Sequence, residues 1–243
     1  MTLRLTPIVN RLIIKNCKAV FGVKWANKNL MVRAPSFAGV ILAAGESSRM
    51  GTDKALLSWP PADKGWPPPK DTFLSCAIHS VSALTDFVAV VAGKNATLLA
   101  PVVYALGASL VVNFDPGRGQ FSSLQVGLQE VLNRGRDSAI VTLIDRPPAA
   151  TTTIRALRDA FAKSGEETWA IVPEFSGTHG RPIVVGREMI EAFLRAKPDS
   201  TAREVLARLH EHVTYVSVED PHVAMNINTP QEYAQLGSQG KNV

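Results

Sequence analysis

The sequence predicts an α/β protein of three layers, in which helices pack on both faces of a mostly parallel sheet. Short apolar runs, the right length for buried strands, alternate along the chain with amphipathic segments at helical spacing. Polar, glycine-containing loops follow several of the apolar runs. Such alternation is typical of parallel strands connected by helices. The 243 residues suit one large α/β domain or two very small ones.

The composition is that of an ordinary soluble globular protein. Hydrophobic residues make up 46% of the chain and charged residues 19%. No apolar run approaches the roughly 20 residues that cross a bilayer, so we expect a cytoplasmic protein without membrane contact. Cys17 and Cys76 lie in no zinc-binding spacing, and we expect free buried thiols rather than a disulfide.

The basic residues are concentrated at the start of the chain. Residues 1–36 carry seven Lys or Arg and no acidic residue, whereas 19 basic and 21 acidic residues remain after them, a net charge of −2. The overall charge of +5 therefore does not indicate a basic face for nucleic acid. We expect residues 1–36 to be a poorly ordered basic extension before a domain spanning 37–243, with an organelle transit peptide as the alternative. A secretory signal is less favoured because Asn10 and Arg11 interrupt its apolar stretch.

The first predicted strand, Gly39–Ala43, precedes the polar loop that most constrains function. Ala44 and Gly45 end the strand, and the loop then carries two cations, Arg49 and Lys54. A strand that runs into a glycine-containing loop with exposed backbone N–H groups and nearby cations forms an anion cradle. A triphosphate is the ligand we expect there, although an ordinary strand-to-helix turn explains the same spacing. The loop matches neither GxxxxGK[ST] nor GxGxxG.

A proline-dense segment, SWPPADKGWPPPKDT, follows over residues 58–72. Proline at this density cannot continue a helix or a central strand, so we expect a surface loop. Trp59 and Trp66 are either anchors that hold this loop to the body or parts of a lid over a substrate, and anchors are favoured.

Beyond this loop, amphipathic helices and apolar strands alternate to the end of the chain. Asp71 or Thr72 caps the first helix, Pro101 can open the second, and the last strand alternates as an edge strand does. The predicted helices are Thr72–Leu84, Leu98–Leu106, Ser123–Leu132, Thr151–Lys163, Glu188–Arg195 and Thr201–His210. The predicted strands are Phe87–Ala92, Ser109–Asn113, Ala139–Ile144, Ala170–Pro173, Ile183–Val185 and Val213–Val218.

Two strand ends carry polar groups suited to a ligand. The loop Asn113–Ser123 joins a strand's carboxyl end to a helix, the place where α/β sheets bind ligands. A helix capped by Ser122 explains the same loop, and both interpretations hold together. Asp145 stands at the tip of the most apolar strand, where a lone buried carboxylate needs a cation or water. Magnesium, held by carboxylates and nucleotide phosphates, is the expected partner, and an ion pair with Arg146 is the alternative.

The pattern LAAGxSxRMGxxKxLL resembles the signature of the MobA/MocA-like nucleotidyltransferases. The matching residues are Leu42, Ala43, Ala44, Gly45, Ser47, Arg49, Met50, Gly51, Lys54 and Leu57. The resemblance runs from about Phe37 to Leu236 and implies a three-layer α/β/α Rossmann-like nucleotidyltransferase fold with a mostly parallel sheet. It implies that Arg49, Lys54 and Asp145 are catalytic, and that Asp145 and Asn226 hold a Mg²⁺ cofactor. The implied nucleotide-binding residues are Leu42, Ala43, Ala44, Gly45, Ser47, Arg49, Gly51, Lys54, Asn113, Gly119, Ser122 and Ser123.

The chain departs from the family pattern in three places. Arg146 stands where the DxP motif usually has Gln. Arg181 occupies the His position of GxxGHP, a segment expected over the acceptor, and His179 nearby is either a general base or a solvent-facing residue. The closing MNINTPQEY resembles DIDTPEDY with Asn226 and Asn228 in place of both aspartates. An Asn oxygen still ligates magnesium but adds no negative charge, so we expect weaker metal binding. Asn228 also suits a helix cap.

The LAAG form looks like the cytidylyl branch of the family. The resemblance therefore implies transfer of CMP from CTP to a small phosphorylated acceptor, a molybdopterin-type cofactor, with release of pyrophosphate. A molybdoenzyme or its maturation factor is a further expected partner, and no nucleic acid is expected. The alternatives are a guanylyl- or sugar-phosphate nucleotidyltransferase, or a non-catalytic nucleotide- or cofactor-binding protein of the same fold.

Overall fold

The computed structural model describes residues 36–48, 50–61 and 71–239, which contain one eight-stranded mixed sheet with helices on both faces. The expectations for residues 1–35, for Arg49 and for Trp66 lie outside the described residues. The strands are Phe37–Leu42 (β1), Phe87–Ala92 (β2), Ser109–Val112 (β3), Ser138–Leu143 (β4), Ala170–Phe175 (β5), Thr178–His179 (β6), Ile183–Gly186 (β7) and Val213–Ser217 (β8).

Helices connect most of these strands. They are Phe73–Ser82 (α1), Ala96–Ala105 (α2), Gln120–Asn133 (α3), Thr151–Lys163 (α4), Arg187–Arg195 (α5), Ala202–Arg208 (α6) and Pro230–Gln239 (α7). Over the described ranges, no helix combines the length and the apolar character that crossing a membrane requires. Cys76 on α1 is a partly buried free thiol, as expected, and burial raises its pKa.

The strand directions explain where a site can form. The first four strands lie side by side and parallel in the order β3-β2-β1-β4. β7 follows β4 in the antiparallel direction, and β5 is antiparallel to β7. Among the described strands, β8 pairs with β5 alone, in parallel, which makes it the predicted edge strand. The carboxyl ends of β1 to β4 and the amino end of β7 therefore meet at one edge of the sheet, which we call the carboxyl edge.

Central strand β1 shows how both faces of the sheet are covered. All six of its residues are buried. Phe37 and Ile41 belong to the core that includes α1, α2 and α4, whereas Val40 and Leu42 belong to the core that includes α3, α5 and α6. Successive residues of a strand alternate between its faces, so helices must cover both. The predicted three-layer architecture with a mostly parallel sheet is confirmed.

Helix α2 begins earlier than the sequence indicated. Its first residue is Ala96, so Pro101 lies inside the helix instead of opening it. Proline lacks the N–H that would bond the carbonyl of Thr97. Leu99 and Val103 on either side are fully buried, and this packing holds the helix together around the missing bond.

The expectation that Ser122 caps α3 is wrong. The cap position belongs to Gly119, whose φ of 92° lies in the left-handed region that glycine adopts most easily. Ser122 sits in the first turn, and its hydroxyl donates to the Gly119 carbonyl at 2.8 Å. The helix therefore starts at Gln120, and its first turn reaches the carboxyl edge.

The described part of the proline-rich segment supports the anchor interpretation for Trp59. Its ring packs edge-on against Phe73, with centroids 5.0 Å apart, and against His222 at 5.3 Å. An antiparallel bridge between Ser58 and Thr72 closes the base of the segment. The side chain of Thr72 caps α1, as one of the two predicted caps.

Candidate active site

The strand-to-loop junction after β1 forms one wall of a cavity at the carboxyl edge. The backbone of Ala43 stays attached to the sheet through a 2.8 Å bond from its N–H to the Val91 carbonyl. A Cβ built on Gly45 would meet no atom within 4 Å, so packing does not explain the glycine and the space above it is open to a ligand. The cavity has a volume of about 230 Å³ and is lined by Leu42, Ala44, Gly45, Pro116, Gly119, Gln120 and Ser123. The structure thus brings together residues predicted from two distant motifs.

The polar loop after Gly45 is folded back on itself. Ser47 has a φ of 50°, an uncommon conformation for a residue with a side chain, and its hydroxyl accepts from the N–H of Lys54 at 3.1 Å. Gly51, with a φ of 70°, makes the second left-handed turn of the loop. The Lys54 ammonium donates to Asn228 Oδ1 at 3.0 Å. Three of the predicted loop residues are therefore close together, whereas Arg49 is not described.

Asn95 joins both ends of this loop, and the sequence interpretation missed it. Its Nδ2 donates to the Ala43 carbonyl at 2.9 Å and to Asp53 Oδ2 at 2.6 Å. Asp53 in turn accepts from the N–H of Ala55 at 2.9 Å, at the start of a short 3₁₀ turn. The only local signal was a polar residue just after β2, at the same edge as the other strand ends. Asn95 is a positioning residue for the loop.

The buried side chain of Asn113 holds the loop between β3 and α3 in its conformation. Its side chain is 5% exposed, and its Nδ2 donates to Ser122 Oγ at 2.9 Å and to Ser123 Oγ at 3.0 Å. Its Oδ1 accepts from the N–H of Asp115 at 3.0 Å. Because both ends of the amide are used inside the protein, Asn113 holds the loop in place rather than presenting a free group to the cavity.

Asp145 follows β4 at the carboxyl edge and carries an unsatisfied oxygen. Its Oδ1 is buried without a hydrogen-bond partner among the described residues, a state that calls for a ligand. The alternative of a direct ion pair with Arg146 is wrong: among the described residues the Arg146 guanidinium donates to the carbonyls of Val223 and Met225, at 2.8 and 3.3 Å, and Asp145 acts on it only through its charge. The Asp145 carbonyl accepts from the N–H of Ile227 at 2.7 Å.

That backbone bond holds Ile227 beside Asp145, and the exposed Asn226 directly precedes Ile227 in the chain. No cluster of three or more His, Cys, Asp or Glu suited to a metal occurs in the described ranges. A metal here would depend on Asp145, on an amide oxygen and on the oxygens of its substrate. One protein carboxylate with substrate phosphates is how Mg²⁺ is commonly bound, so the buried oxygen of Asp145 fits this ion.

A larger cavity, of about 600 Å³, continues from the first along the same edge. Gln120 lines both cavities. His179 lies on β6 in this wall, where its exposed ring stacks on Tyr215 with centroids 4.0 Å apart and contacts Glu174 at 3.2 Å. The His179 ring thus lines the cavity and is also exposed to solvent. This position is compatible with both roles that the sequence left open, a general base and a solvent-facing residue.

Three arginines, at positions 146, 181 and 203, line the larger cavity. Burial, and to a lesser extent the positive charge of Arg146, lowers the pKa of Arg181 to about 10, although Asp145 opposes the shift. Burial also lowers the pKa of Arg146, while Asp145 raises it and Arg203 lowers it. The guanidinium groups therefore act on one another electrostatically.

Comparison with known proteins gives a consistent match. The model of a family described as MobA-like NTP transferase domain matches residues 39–213. A probable molybdenum cofactor guanylyltransferase of Rhodopirellula baltica is 24% identical over 204 residues, covering 82% of this chain and 90% of that protein. The molybdenum cofactor cytidylyltransferase of Escherichia coli K12 is 25% identical over 196 residues, covering 80% and 92%.

Two further likenesses extend this picture. The purine catabolism protein PucB of Bacillus subtilis is 28% identical over 203 residues, covering 83% of this chain and 96% of that protein. The crystal structure of Rv0371c from Mycobacterium tuberculosis H37Rv superposes with a TM-score of 0.69 at 26% identity, covering 84% of this chain and 97% of the other. These matches agree with the Rossmann-like nucleotidyltransferase fold that the loop motif predicted.

Proposed function

Because this chain belongs to the MobA-like NTP transferase domain family, we propose that it transfers CMP from CTP to the phosphate of a molybdopterin-type acceptor. Membership confirms the resemblance and makes the chain a nucleotidyltransferase. One observation carries the assignment of the site: the Ala43–Gly45 loop, the helix start at Gly119 and the unsatisfied Asp145 lie along one edge of the sheet. We propose the cytoplasm as the location, and a molybdoenzyme or its maturation factor as the receiver of the product.

The proposed step is a substitution at the α-phosphorus of the nucleotide. An oxygen of the acceptor's phosphate attacks, a new oxygen–phosphorus bond forms, and the bond from the α-phosphorus to the bridging oxygen breaks. Pyrophosphate leaves with that electron pair. Such a step needs charge neutralisation and alignment more than a protein nucleophile.

The loop residues supply these two contributions. Lys54 and Arg49 would neutralise the triphosphate, with Lys54 beside the leaving pyrophosphate. The backbone of Ala43–Gly45 would contact the base, because no side chain fills the space above Gly45. Gly119 and Ser123 line the opposite wall of that cavity. Asn113 and Asn95 hold these segments in place from below.

We propose Mg²⁺ as the cofactor, with Asp145 and Asn226 as its protein ligands. A bound Mg²⁺ would neutralise phosphate charge and align the oxygens of the nucleotide. Only one of the two protein ligands is charged, so the affinity for the ion should depend strongly on the nucleotide's own phosphates. Because Asn226 is neutral, Mg²⁺ binding should be measured in the presence of the nucleotide.

The choice of base is part of the proposal. The LAAG form of the loop supports CTP, while relatives of similar identity are named for guanylyl and for cytidylyl transfer. GTP is therefore the second candidate. The stacked rings of His179 and Tyr215 present a flat surface in the wall of the larger cavity, which suits a ring system in the acceptor.

The test is thermal stabilisation of the protein by CTP, GTP, ATP and UTP, each with and without Mg²⁺. We expect a Mg²⁺-dependent rise in Tm that is largest for CTP in the unmodified chain and lost in Lys54→Ala. Lys163→Ala, which removes an exposed lysine at the end of α4, should behave like the parent. A preference for GTP would change the product within the same enzyme class. No shift with any nucleotide would contradict nucleotidyl transfer and favour a carrier role.

A further inference from the structure

Three arginines converge on the larger cavity from three different elements. Arg146 follows β4, Arg181 precedes β7 and Arg203 lies in the first turn of α6. No carboxylate is among the described residues that line the cavity. Two carboxylates are nearby. Glu174 contacts His179 at 3.2 Å, and Asp145 acts electrostatically on Arg146 and Arg181 without lining the cavity.

Two of these guanidinium groups have donors that the protein does not use. Arg146 Nε and Arg181 Nη1 are buried and have no hydrogen-bond partner within the described chain. A buried charged donor without an acceptor is costly, and native proteins retain few of them. An anionic ligand that enters the cavity would supply acceptors for these donors.

A purely structural role accounts for only part of the arrangement. Arg146 Nη1 donates to the carbonyls of Val223 and Met225, which fastens the segment that leads to Asn226. This explains one nitrogen of Arg146. It explains neither the unused Nε nor the presence of Arg181 and the exposed Arg203 on the same cavity.

The charges also oppose one another without a ligand. The guanidinium groups of Arg146, Arg181 and Arg203 all line this one cavity. The described lining of the cavity carries three guanidinium groups and no carboxylate, an excess of positive charge. An anion carrying two negative charges would offset most of that excess and accept from the unused donors.

We propose that Arg146, Arg181 and Arg203 form a subsite for a phosphate monoester dianion, the group through which the acceptor enters the site. This inference rests on the proposed nucleotidyl transfer for its biological meaning. Guanidinium forks bind phosphate oxygens in a bidentate manner, which a single lysine does not reproduce. Gln120 lines both this cavity and the nucleotide cavity, so an anion held here would lie next to the site of the α-phosphorus. The two arginines that depart from the family pattern would thus select a dianionic acceptor.

Phenyl phosphate is the probe for this subsite, with benzoate as a carboxylate of similar size and phenol as the uncharged control. Calorimetric titrations at constant ionic strength use the full chain carrying Lys54→Ala, which removes the loop lysine as a competing phosphate site. We expect phenyl phosphate to bind, benzoate to bind at least about tenfold more weakly, and phenol to show no binding. Equal binding of benzoate would replace the phosphate assignment by a general carboxylate site and overturn the proposal.

Substitutions then locate the binding. Arg146→Gln, Arg181→Ala and Arg203→Ala should each weaken phenyl phosphate binding by about tenfold. Arg155→Ala, which removes an exposed guanidinium from α4 on the other face of the sheet, should leave the affinity unchanged. Arg203 is exposed on a helix, so its variant keeps the test valid where the other two fail to fold. Unchanged affinity in Arg203→Ala, or an equal loss in Arg155→Ala, would overturn the proposal.

Nucleotide stabilisation of the same arginine variants, with Lys54 intact, separates the two hypotheses. We expect the Mg²⁺-dependent shift with CTP or GTP to persist in all of them, because the arginines lie beyond the triphosphate loop. If nucleotides stabilise the protein but the arginine substitutions do not weaken phenyl phosphate binding, the subsite is overturned and the proposed function is not. Arginine-dependent phosphate binding in a protein that no nucleotide stabilises would support the subsite and contradict nucleotidyl transfer.

Discussion

Lys54 and Asn228 are 174 positions apart in the chain, and the ammonium of Lys54 donates to the amide oxygen of Asn228 at 3.0 Å. One residue earlier, the N–H of Ile227 donates to the Asp145 carbonyl at 2.7 Å. Two consecutive residues, Ile227 and Asn228, thus link the lysine of the first loop to the strand tip that carries the proposed metal ligand. The contact to Lys54 is made by a neutral amide where the family pattern has a carboxylate.

Replacing Lys54 by alanine should reduce kcat by roughly 100-fold or more, because the positive charge near the leaving pyrophosphate is lost. The measurement is pyrophosphate release with the preferred nucleotide and acceptor. Lys163→Ala is the matched control, since it removes an exposed lysine outside the site. Full turnover in Lys54→Ala at unchanged Tm would rule out the assigned role.

Asn226→Asp should lower the Mg²⁺ concentration that gives half-maximal activity severalfold, because a second carboxylate joins Asp145. Asp145→Asn should raise it and remove most turnover. The experiment is a Mg²⁺ titration at saturating nucleotide, with Asp159→Asn on α4 as the control. Metal dependence that is the same in all three variants would exclude Asp145 and Asn226 as ligands.

Asn95→Ala should lower the free energy of unfolding by about 1–3 kcal/mol, because the Ala43 carbonyl and Asp53 lose their shared donor. KM for the nucleotide should rise more than kcat falls, since the residue positions the loop without touching the reacting atoms. Denaturant unfolding and steady-state kinetics check both effects. Asn133→Ala, on the exposed end of α3, is the control. Unaltered KM at reduced stability would leave Asn95 a purely structural residue.

Gly180→Ala should destabilise the protein by about 1–3 kcal/mol, because the added Cβ would lie 2.0 Å from the Val223 carbonyl oxygen. That oxygen also accepts from the N–H of Arg181 at 2.9 Å, so the segment before β7 would have to move. Gly165→Ala, whose Cβ meets nothing within 4 Å, is the control for the substitution itself. Equal stability of the two variants would show that the close approach is relieved at no cost.

Acidification should reveal the role of Glu232 at the start of α7. Hydrogen bonds from the N–H groups of Asn228 and Thr229 lower its pKa below the ordinary 4.5. A lowered folded-state pKa means that the contribution is complete above about pH 4.5 and is lost as the pH falls through the folded-state value. The stability difference between the parent and Glu232→Gln should therefore shrink in that acidic range. A difference that is constant from pH 7 to pH 3 would contradict this assignment.

Local patterns were sufficient for the parts of the fold that depend on neighbouring residues. The strand Phe87–Ala92 and the helix Thr151–Lys163 have the predicted bounds, because an apolar run or an amphipathic stripe is complete within each. The position of Asp145 at a strand tip also follows from its immediate sequence. Predictions failed where the deciding contact is distant or depends on backbone conformation. Gly119 rather than Ser122 caps α3 because a left-handed φ is needed at that turn.

Contacts between distant segments were beyond prediction from one sequence. Asn95 matters only because β2 lies beside β1, so that its amide reaches the Ala43 carbonyl. Arg146 and Arg181 were each noticed as a departure from a motif, but not as neighbours. Their convergence depends on β7 running antiparallel beside β4, and no local pattern fixes the direction of a short strand.

Because β7 runs antiparallel to both β4 and β5, the segment that precedes it can be exchanged separately from the four parallel strands. The segment between β5 and β7, residues 176–182, contains the short strand β6 and joins two adjacent antiparallel strands. A replacement that keeps Gly180 and the bond from the Arg181 N–H to the Val223 carbonyl would leave unchanged the order of the four parallel strands that carry the nucleotide cavity. A chimaera in which this segment comes from a relative would exchange the proposed acceptor side while the triphosphate loop stays in place.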